Sequence, residues 1–322
     1  MAILALHGGA GGDGEWRGMS DLDPDRLVCM QTILKDLGPR LESGDLTALE
    51  AVTLAVEALE DEPLYNAGRG SVLAEDERIY MDASIMRGED QAAGSVVNVE
   101  RIRHPIRAAN LLLKKGWPVM LNAGAADQFA LNNHLDHVDQ TWLKTDLRAA
   151  QWKKWKSQNS RPGSTDEDDS AVLDHDLDPE EQEGMGTVGA VALDAHGHLA
   201  AATSTGGMTG KPIGRIGDTP IIGAGTWCDQ TVAVSCTGVG EAFIRTCAAH
   251  ELAVQFRQPD ASLLEASHRV LEMVNPMGGR GGLIAVSADG QVVMPFQTML
   301  MYRGLWQNGA LTTGIGEETY SD

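Results

Sequence analysis

Thr187 stands directly after Gly186 and opens the run TVGAVAL, just past an acidic segment at residues 166–183. Those residue types in that order could cut the chain. Glycine before a peptide bond tolerates strained backbone, which gives a neighbouring hydroxyl access to the preceding carbonyl. Once the Gly186–Thr187 bond is broken, the new α-amino group, with an unperturbed pKa near ~8, can act as the base for its own Oγ. No histidine is needed, and no convincing Ser/His/Asp arrangement competes. Thr205, the pair Arg215 and Asp218 set among glycines, and Thr237 follow. Taken one at a time, the two threonines read as strand residues, and Arg215 with Asp218 as a surface ion pair of small energetic value.

Other patterns invite chemistry and carry less. A literal GxGxxG at Gly9, Gly11 and Gly14 follows an apolar run at residues 2–6. A dinucleotide site also needs a helix opening inside the motif, so that its amides meet the pyrophosphate. Here the chain continues as EWRGMSDLDP, polar and broken by Gly18 and Pro24, so a glycine loop allowing close backbone approach is the better reading. Residues 63–73, PLYNAGRGSVL, hold Asn66, Gly68 and Gly70. Alone they read as a turn, although a loop rich in free carbonyls could hold a hard cation. His134 and His137 form an HxxH isolated from further ligands, too common a spacing to claim a metal. Asp82 reads as a buried, hydrogen-bonded strand residue.

The elements that must position these groups are legible from periodicity. Asp23 as N-cap and Pro24 at the first helical position start a helix with apolar Leu27, Met30, Leu34, Leu37 and Leu41, closed by Gly44. Thr47 and Glu50 form a capping box for a second, whose buried stripe is Leu49, Val52, Val56 and Leu59. Strands are predicted at 79–86 and 118–122, and helices at 105–115 and 141–156, the last carrying Trp142, Trp152 and Trp155. Segment 157–184 has few aromatic or β-branched residues. It cannot bury enough apolar surface to offset its ordering entropy, so a mobile, protease-sensitive linker is expected. Beyond it come a hairpin at 187–205 turning at Asp194–Gly197, a strand at 231–235, helices at 240–256 and 261–274, and a hairpin at 282–296 turning at Asp289-Gly290. Hairpin-connected strands and helices in separate runs predict an α+β layered fold with antiparallel sheets.

The totals bound the function. A net charge of −21 repels nucleic acid and anionic membrane surfaces, so neither is an expected partner. Nothing approaches the ~18 consecutive apolar residues of a membrane span. The apolar start is too short for a signal h-region, and Cys29, Cys228, Cys236 and Cys247 show no CxxC spacing. Reduced thiols and a cytoplasmic location are expected.

Together, HGGAG, NAGRGS, GTVGAVALD, ATSTGGMTGKPIGRIGD and SCTGVGE occur in the order typical of the plant-type L-asparaginases, also called isoaspartyl peptidases. These are threonine-dependent N-terminal nucleophile (Ntn) hydrolases, and the resemblance runs from Leu4 to about Arg303; the tail beyond carries no motif. It implies a four-layer αββα sandwich with two antiparallel sheets between helical layers. It also implies autocatalytic cleavage of a zymogen between Gly186 and Thr187, giving an α-chain, 1–186, with its acidic linker at about 157–186, and a β-chain, 187–322. These would remain one composite domain, assembled as a homodimer of α/β heterodimers. The implied reaction releases ammonia from L-asparagine, or aspartate from β-aspartyl dipeptides, through an acyl-enzyme on Thr187.

By the same resemblance Thr205 orients the nucleophile, and Asn66 contacts it from the α-chain. The Thr237 hydroxyl and Gly238 amide form the oxyanion hole. The segments Arg215, Ile216, Gly217, Asp218 and Thr237, Gly238, Val239, Gly240 line the substrate. Arg215 takes its α-carboxylate; Asp218 and the Gly240 carbonyl take its α-ammonium. No organic cofactor is implied, but a structural sodium is, on main-chain carbonyls of Leu59, Glu60, Glu62, Tyr65, Ala67 and Arg69. The nearest rival is a glycosylasparaginase with the same catalytic set. From other classes stand a nucleotide-binding protein using Gly9–Gly14 and a binding protein whose Gly186–Thr187 bond stays intact.

Overall fold

In the computed structural model, which describes residues 1–12, 16, 18–159, 186–316 and 319–321, the first apolar run is longer than its hydrophobic stretch. Strand β1 spans Ile3–Gly11 and is buried throughout. It carries straight through HGGAG because small residues there fit between two neighbouring strands, with a register shift between His7 and Ala10. This corrects the loop reading of the glycine motif. Gly9 and Gly11 are strand residues, the next helix starts only at Asp23, and Gly14 lies outside the described residues. Among the described residues no helix N-terminus meets the motif, which a dinucleotide site requires.

Helix α1 (Asp23–Ser43) follows, then α2 (Ala48–Asp61), strands β2 (Met81–Arg87) and β3 (Ala93–Val99), helix α3 (Pro105–Lys115), strand β4 (Met120–Asn122) and helices α4 (Ala123–Asn132), α5 (Gln140–Leu143) and α6 (Asp146–Asn159). After the undescribed residues come β5 (Val188–Leu193), β6 (Leu199–Thr205), β7 (Thr226–Cys228) and β8 (Val232–Gly238), helices α7 (Gly240–Thr246), α8 (Ala248–Phe256) and α9 (Leu263–Val274), and strands β9 (Gly281–Ser287), β10 (Val292–Val293), β11 (Leu300–Gln307), β12 (Ala310–Gly314) and β13 (Thr319–Ser321).

The fold is mixed α+β, with one large and one small sheet. The large sheet has the order β13-β12-β11-β1-β5-β6-β2-β3-β4, and the small one β10-β9-β8-β7. Expected antiparallel pairing holds except at one edge, where β3 and β4 run parallel because α3 crosses between them. Three apolar clusters hold the layers. One packs α1, α2 and α3 on the large sheet through Leu27, Leu34, Val52, Val56 and Leu112. A second lies between the sheets, with Ile3, Val191, Ala233 and Ile284. A third packs α7–α9 on the small sheet through Phe243, Leu252 and Val270. Close approach demands glycine at two of these contacts. A Cβ on Gly38 would stand 2.2 Å from the Trp306 ring, and one on Gly94 1.9 Å from the Ala109 carbonyl.

Several boundaries differ from the sequence expectation for identifiable reasons. Leu22, not Asp23, is the cap of α1; Asp23 accepts a hydrogen bond from the Ser20 N–H and pairs with buried Arg26. The helix expected at 141–156 is two, because Lys144 is extended after α5. The helix at 240–256 breaks at Cys247, whose φ is 49°. The 157–184 linker begins inside α6, and residues 160–185 lie outside the described residues. The tail without a motif supplies β12, β13 and the end of β11, and β11 pairs with β1. The four cysteines are free, and Cys247 is exposed. Among the described residues no helix is long and apolar enough to cross a membrane.

Candidate active site

Thr187 lies at the threshold of β5, one residue before the first paired position, Val188↔Ser204. It is 8 % exposed, and its Oγ1 donates to Thr205 Oγ1 at 3.1 Å. Thr205 comes from the end of β6, returned alongside by the tight Asp194–Gly197 turn. Its hydroxyl also accepts the Gly207 N–H at 3.0 Å, which fixes the acceptor toward which Thr187 points. The cleft around them is lined by Ala10, Gly186, Thr187, Thr205, Gly207, Met208, Arg215, Gly217, Asp218, Thr219 and Gly238. Residues from four separate motifs therefore face one cavity.

Gly186 is held close. A Cβ on Gly9, whose φ is +108°, would stand 2.5 Å from the Gly186 nitrogen and 2.8 Å from its carbonyl carbon. Only glycine at position 9 lets the two segments touch here. Thr237 Oγ1 accepts the Ala10 N–H at 3.1 Å, which leaves its own proton free to be aimed. That oxygen is also the nearest atom, 3.3 Å away, to a Cβ built on Gly186. Gly238 follows with φ +149°, a conformation reserved for glycine because the Arg280 carbonyl and Gly281 press against it.

Asp218 is buried, and its Oδ2 has no hydrogen-bond partner among the described residues. Burial pushes its carboxyl up to about 7, against the downward pull of Arg215. A buried acid with an open oxygen in a cleft is a receptor for a cation. Gly240 packs on it: a Cβ there would be 2.9 Å from Asp218 Oδ1. The duller alternative, a surface ion pair of Arg215 with Asp218, does not form; Arg215 pairs elsewhere. Arg215 Nε and Nη2 donate to the two Glu241 oxygens at 2.8 and 2.7 Å. Burial works against the Arg215 charge, and Glu241, Asp218 and Asp82 together outweigh it. Glu241 was missed in the sequence; its place at the first turn of α7, right after the Thr237–Gly240 turn, was the available signal.

Not every expected residue reaches the cleft. Asn66 Nδ2 donates to the Gly207 carbonyl at 2.7 Å and its Oδ1 accepts the Val72 N–H. Its side chain is spent on the loop that holds Thr205, not on Thr187 directly. Ile216 turns outward and is 41 % exposed. Asp82 is buried and accepts the Asn98 N–H. Both ring nitrogens of His137 meet carbonyls, of Leu135 and Asp127.

The loop after α2 divides its carbonyls into two sets. Glu60 and Glu62 carbonyls accept the N–H groups of Arg69 and Tyr65. The carbonyls of Tyr65, Ala67 and Arg69 accept none among the described residues, and Tyr65 and Ala67 are buried. Gly68, at φ +52°, lets the loop fold onto the Glu60 carbonyl. Buried carbonyls without donors suit a hard monovalent cation.

The family model described as asparaginase matches residues 1–315. The isoaspartyl peptidase of Escherichia coli (strain K12) is 41% identical over 321 residues, covering 98% of this chain and 97% of that protein. The isoaspartyl peptidase/L-asparaginase of Xenopus laevis is 36% identical over 315 residues, covering 97% and 94%. That of Bos taurus is 36% identical over 319 residues, covering 97% and 96%. Matched nearly end to end, and with the motifs that carry the match gathered around one cleft, the chain belongs to the asparaginase family of hydrolytic enzymes.

Proposed function

We propose that this protein is an autoprocessing amidohydrolase that cleaves the side-chain amide of L-asparagine and the isopeptide bond of β-aspartyl dipeptides. The observation that carries the reading is the Thr187 Oγ1 to Thr205 Oγ1 contact of 3.1 Å, in the same cleft as Arg215 and the open oxygen of Asp218. The relatives' names agree with both substrates.

In the precursor, Thr187 Oγ attacks the Gly186 carbonyl, the acyl group passes from nitrogen to oxygen, and water releases an α-chain, 1–186, from a β-chain, 187–322. The free α-amino group then takes the Oγ proton as the hydroxyl attacks the substrate's side-chain carbonyl. The Thr237 hydroxyl and Gly238 N–H receive the oxyanion. Collapse returns the proton to the leaving nitrogen, expelling ammonia or the amine of the next residue, and leaves a β-aspartyl ester on Thr187. Water, deprotonated by the same amine, frees aspartate. Arg215 grips the α-carboxylate while Glu241 holds its guanidinium in plane, and Asp218 with the Gly240 carbonyl takes the α-ammonium. Asn66 acts by holding the Gly207 loop.

The fold reading that goes with this is the four-layer αββα sandwich of Ntn type, supported by the three apolar clusters. A sodium ion on the carbonyls of residues 59–69 would stiffen the loop that bears Asn66 and take no part in the chemistry. The assembly is a homodimer of processed heterodimers. A denaturing gel tests the core of the proposal. Wild type gives two bands, the smaller starting at Thr187, and Thr187→Ala gives one. Wild type that stays a single band while hydrolysing nothing refutes it.

A further inference from the structure

A guanidinium carries five N–H hydrogens in two carboxylate-sized forks, and in Arg215 three of the five have partners. Nε and Nη2 donate to the two Glu241 oxygens at 2.8 and 2.7 Å, which fills one fork. The other Nη2 hydrogen goes to Met208 Sδ, 3.3 Å away. Nη1 has no hydrogen-bond partner among the described residues, and glycine keeps it uncovered: a Cβ on Gly217 would stand 2.8 Å from it. The second fork, Nη1 with Nη2, thus lies between Gly217 and Met208, and all three residues line the cleft. One of that fork's two hydrogens is on sulfur.

Met208 is half-buried on the turn that follows β6. Its backbone is fixed on both sides. The Gly207 N–H donates to Thr205 Oγ1, the Gly207 carbonyl accepts Asn66 Nδ2, and the Met208 carbonyl accepts the Lys211 N–H at 3.1 Å. Lys211 is itself buried, with Nζ donating to the Tyr80 carbonyl at 2.7 Å, and a Cβ on Gly207 would stand 2.8 Å from that nitrogen. The side chain carried by this pinned turn is unbranched and flexible, so the sulfur can swing away while the backbone stays. Its chemistry suits the position. The Arg215 side chain is 13 % exposed, so an aliphatic neighbour would leave a nearly buried guanidinium hydrogen unpaired. An amide or carboxylate there would hold that hydrogen firmly against an incoming ligand. A thioether, a weak acceptor, lies between the two.

We propose that Met208 is a specificity-determining residue for the substrate α-carboxylate: its thioether is a yielding cover on the Nη2 hydrogen, which the carboxylate takes over when it binds the second fork of Arg215. This rests on the reading of Arg215 as the α-carboxylate grip. Met208 then sets KM and leaves kcat alone, because its side chain is bonded to the guanidinium and not to Thr187 or Thr205.

The test compares wild type, Met208→Leu and Met208→Gln as full-length, self-cleaved protein. It measures kcat and KM for L-asparagine, and kcat/KM for L-asparaginamide, which lacks the α-carboxylate. Leu keeps an apolar side chain of similar volume without an acceptor, and Gln keeps the unbranched chain with a full amide acceptor. Gln should raise KM for L-asparagine about fivefold to tenfold, the scale of one net hydrogen bond. Leu should leave KM at or below the wild-type value, and kcat should stay within twofold in both. With L-asparaginamide the three proteins should agree within twofold. Should Leu fail to fold or to cut itself, Gln against wild type on the two substrates carries the comparison. Leu and Gln raising KM alike would make Met208 a packing residue and overturn the proposal. So would a loss expressed in kcat, or equal shifts on both substrates. Arg215→Lys, run beside them, separates the two levels: an unchanged KM there removes the α-carboxylate grip itself, and wild type that hydrolyses nothing refutes the amidohydrolase reading.

Discussion

Replacing Asp218 by Asn should stabilise this protein while destroying its grip on substrate. The folded carboxyl is pushed up to about 7 from 3.8, chiefly by burial, and one of its oxygens has no partner among the described residues. A rise of about 3 units at 1.36 kcal/mol each places an upper bound of roughly 4 kcal/mol on the cost of ionising Asp218 in the folded state. The sign follows from proton counting. Between pH 3.8 and about 7 the folded state binds more protons than the unfolded one, so stability falls as pH rises through that window and levels off above it. Asn carries no such charge. In a Thr187→Ala background, which keeps both proteins uncut, Asp218→Asn should match its parent near pH 4 and melt higher above pH 8. At about 2 °C per kcal/mol for a chain of this size, the gain is at most ~8 °C. L-aspartate should raise the melting temperature of the parent and not of the variant. A gain that does not change with pH, or a variant melting below its parent at pH 8, would refute the argument that Asp218 is an unpaired buried acid awaiting a cation.

Other outcomes follow from the same geometry. Gly9→Ala puts a methyl 2.5 Å from the Gly186 nitrogen at a φ of +108°, so self-cleavage should slow by at least ~10-fold on a gel time course; wild-type kinetics would mean that the Gly9–Gly186 contact is dispensable. Arg215→Lys loses the planar fork now paired with Glu241, so KM for L-asparagine should rise by about 10-fold or more with kcat within threefold; an unchanged KM would remove Arg215 from the substrate site. Exchanging sodium for choline at constant ionic strength should lower the melting temperature by a few degrees, since the Tyr65, Ala67 and Arg69 carbonyls, which accept no hydrogen bond among the described residues, would lose the proposed ion. Equal melting curves would leave the loop a plain turn.

Motifs made the proposed nucleophile and substrate grips legible because catalysis constrains residue types locally: Gly186 before Thr187, Thr205 before two glycines, Arg215 three residues from Asp218. Apolar stripes did the same for α1 and α2, and a capping box for α2, because those signals lie within a few turns of chain. Partner choice was not legible in this way. Taken alone, Arg215 and Asp218 could have formed an ion pair with each other; the tertiary structure gives Arg215 to Glu241, twenty-six residues on, and leaves one Asp218 oxygen without a partner among the described residues. The resemblance places Asn66 against the nucleophile; in the packed loop its side chain meets Gly207 and Val72. The tail past Arg303 looked empty, yet β11 and β12 extend the large sheet. His7 Nε2 meets Ser235 Oγ, 228 positions away, and no window of sequence contains that contact. Local chemistry is written in neighbouring residues. Which buried group satisfies which other depends on the strands that folding brings side by side, and only the tertiary structure decides that.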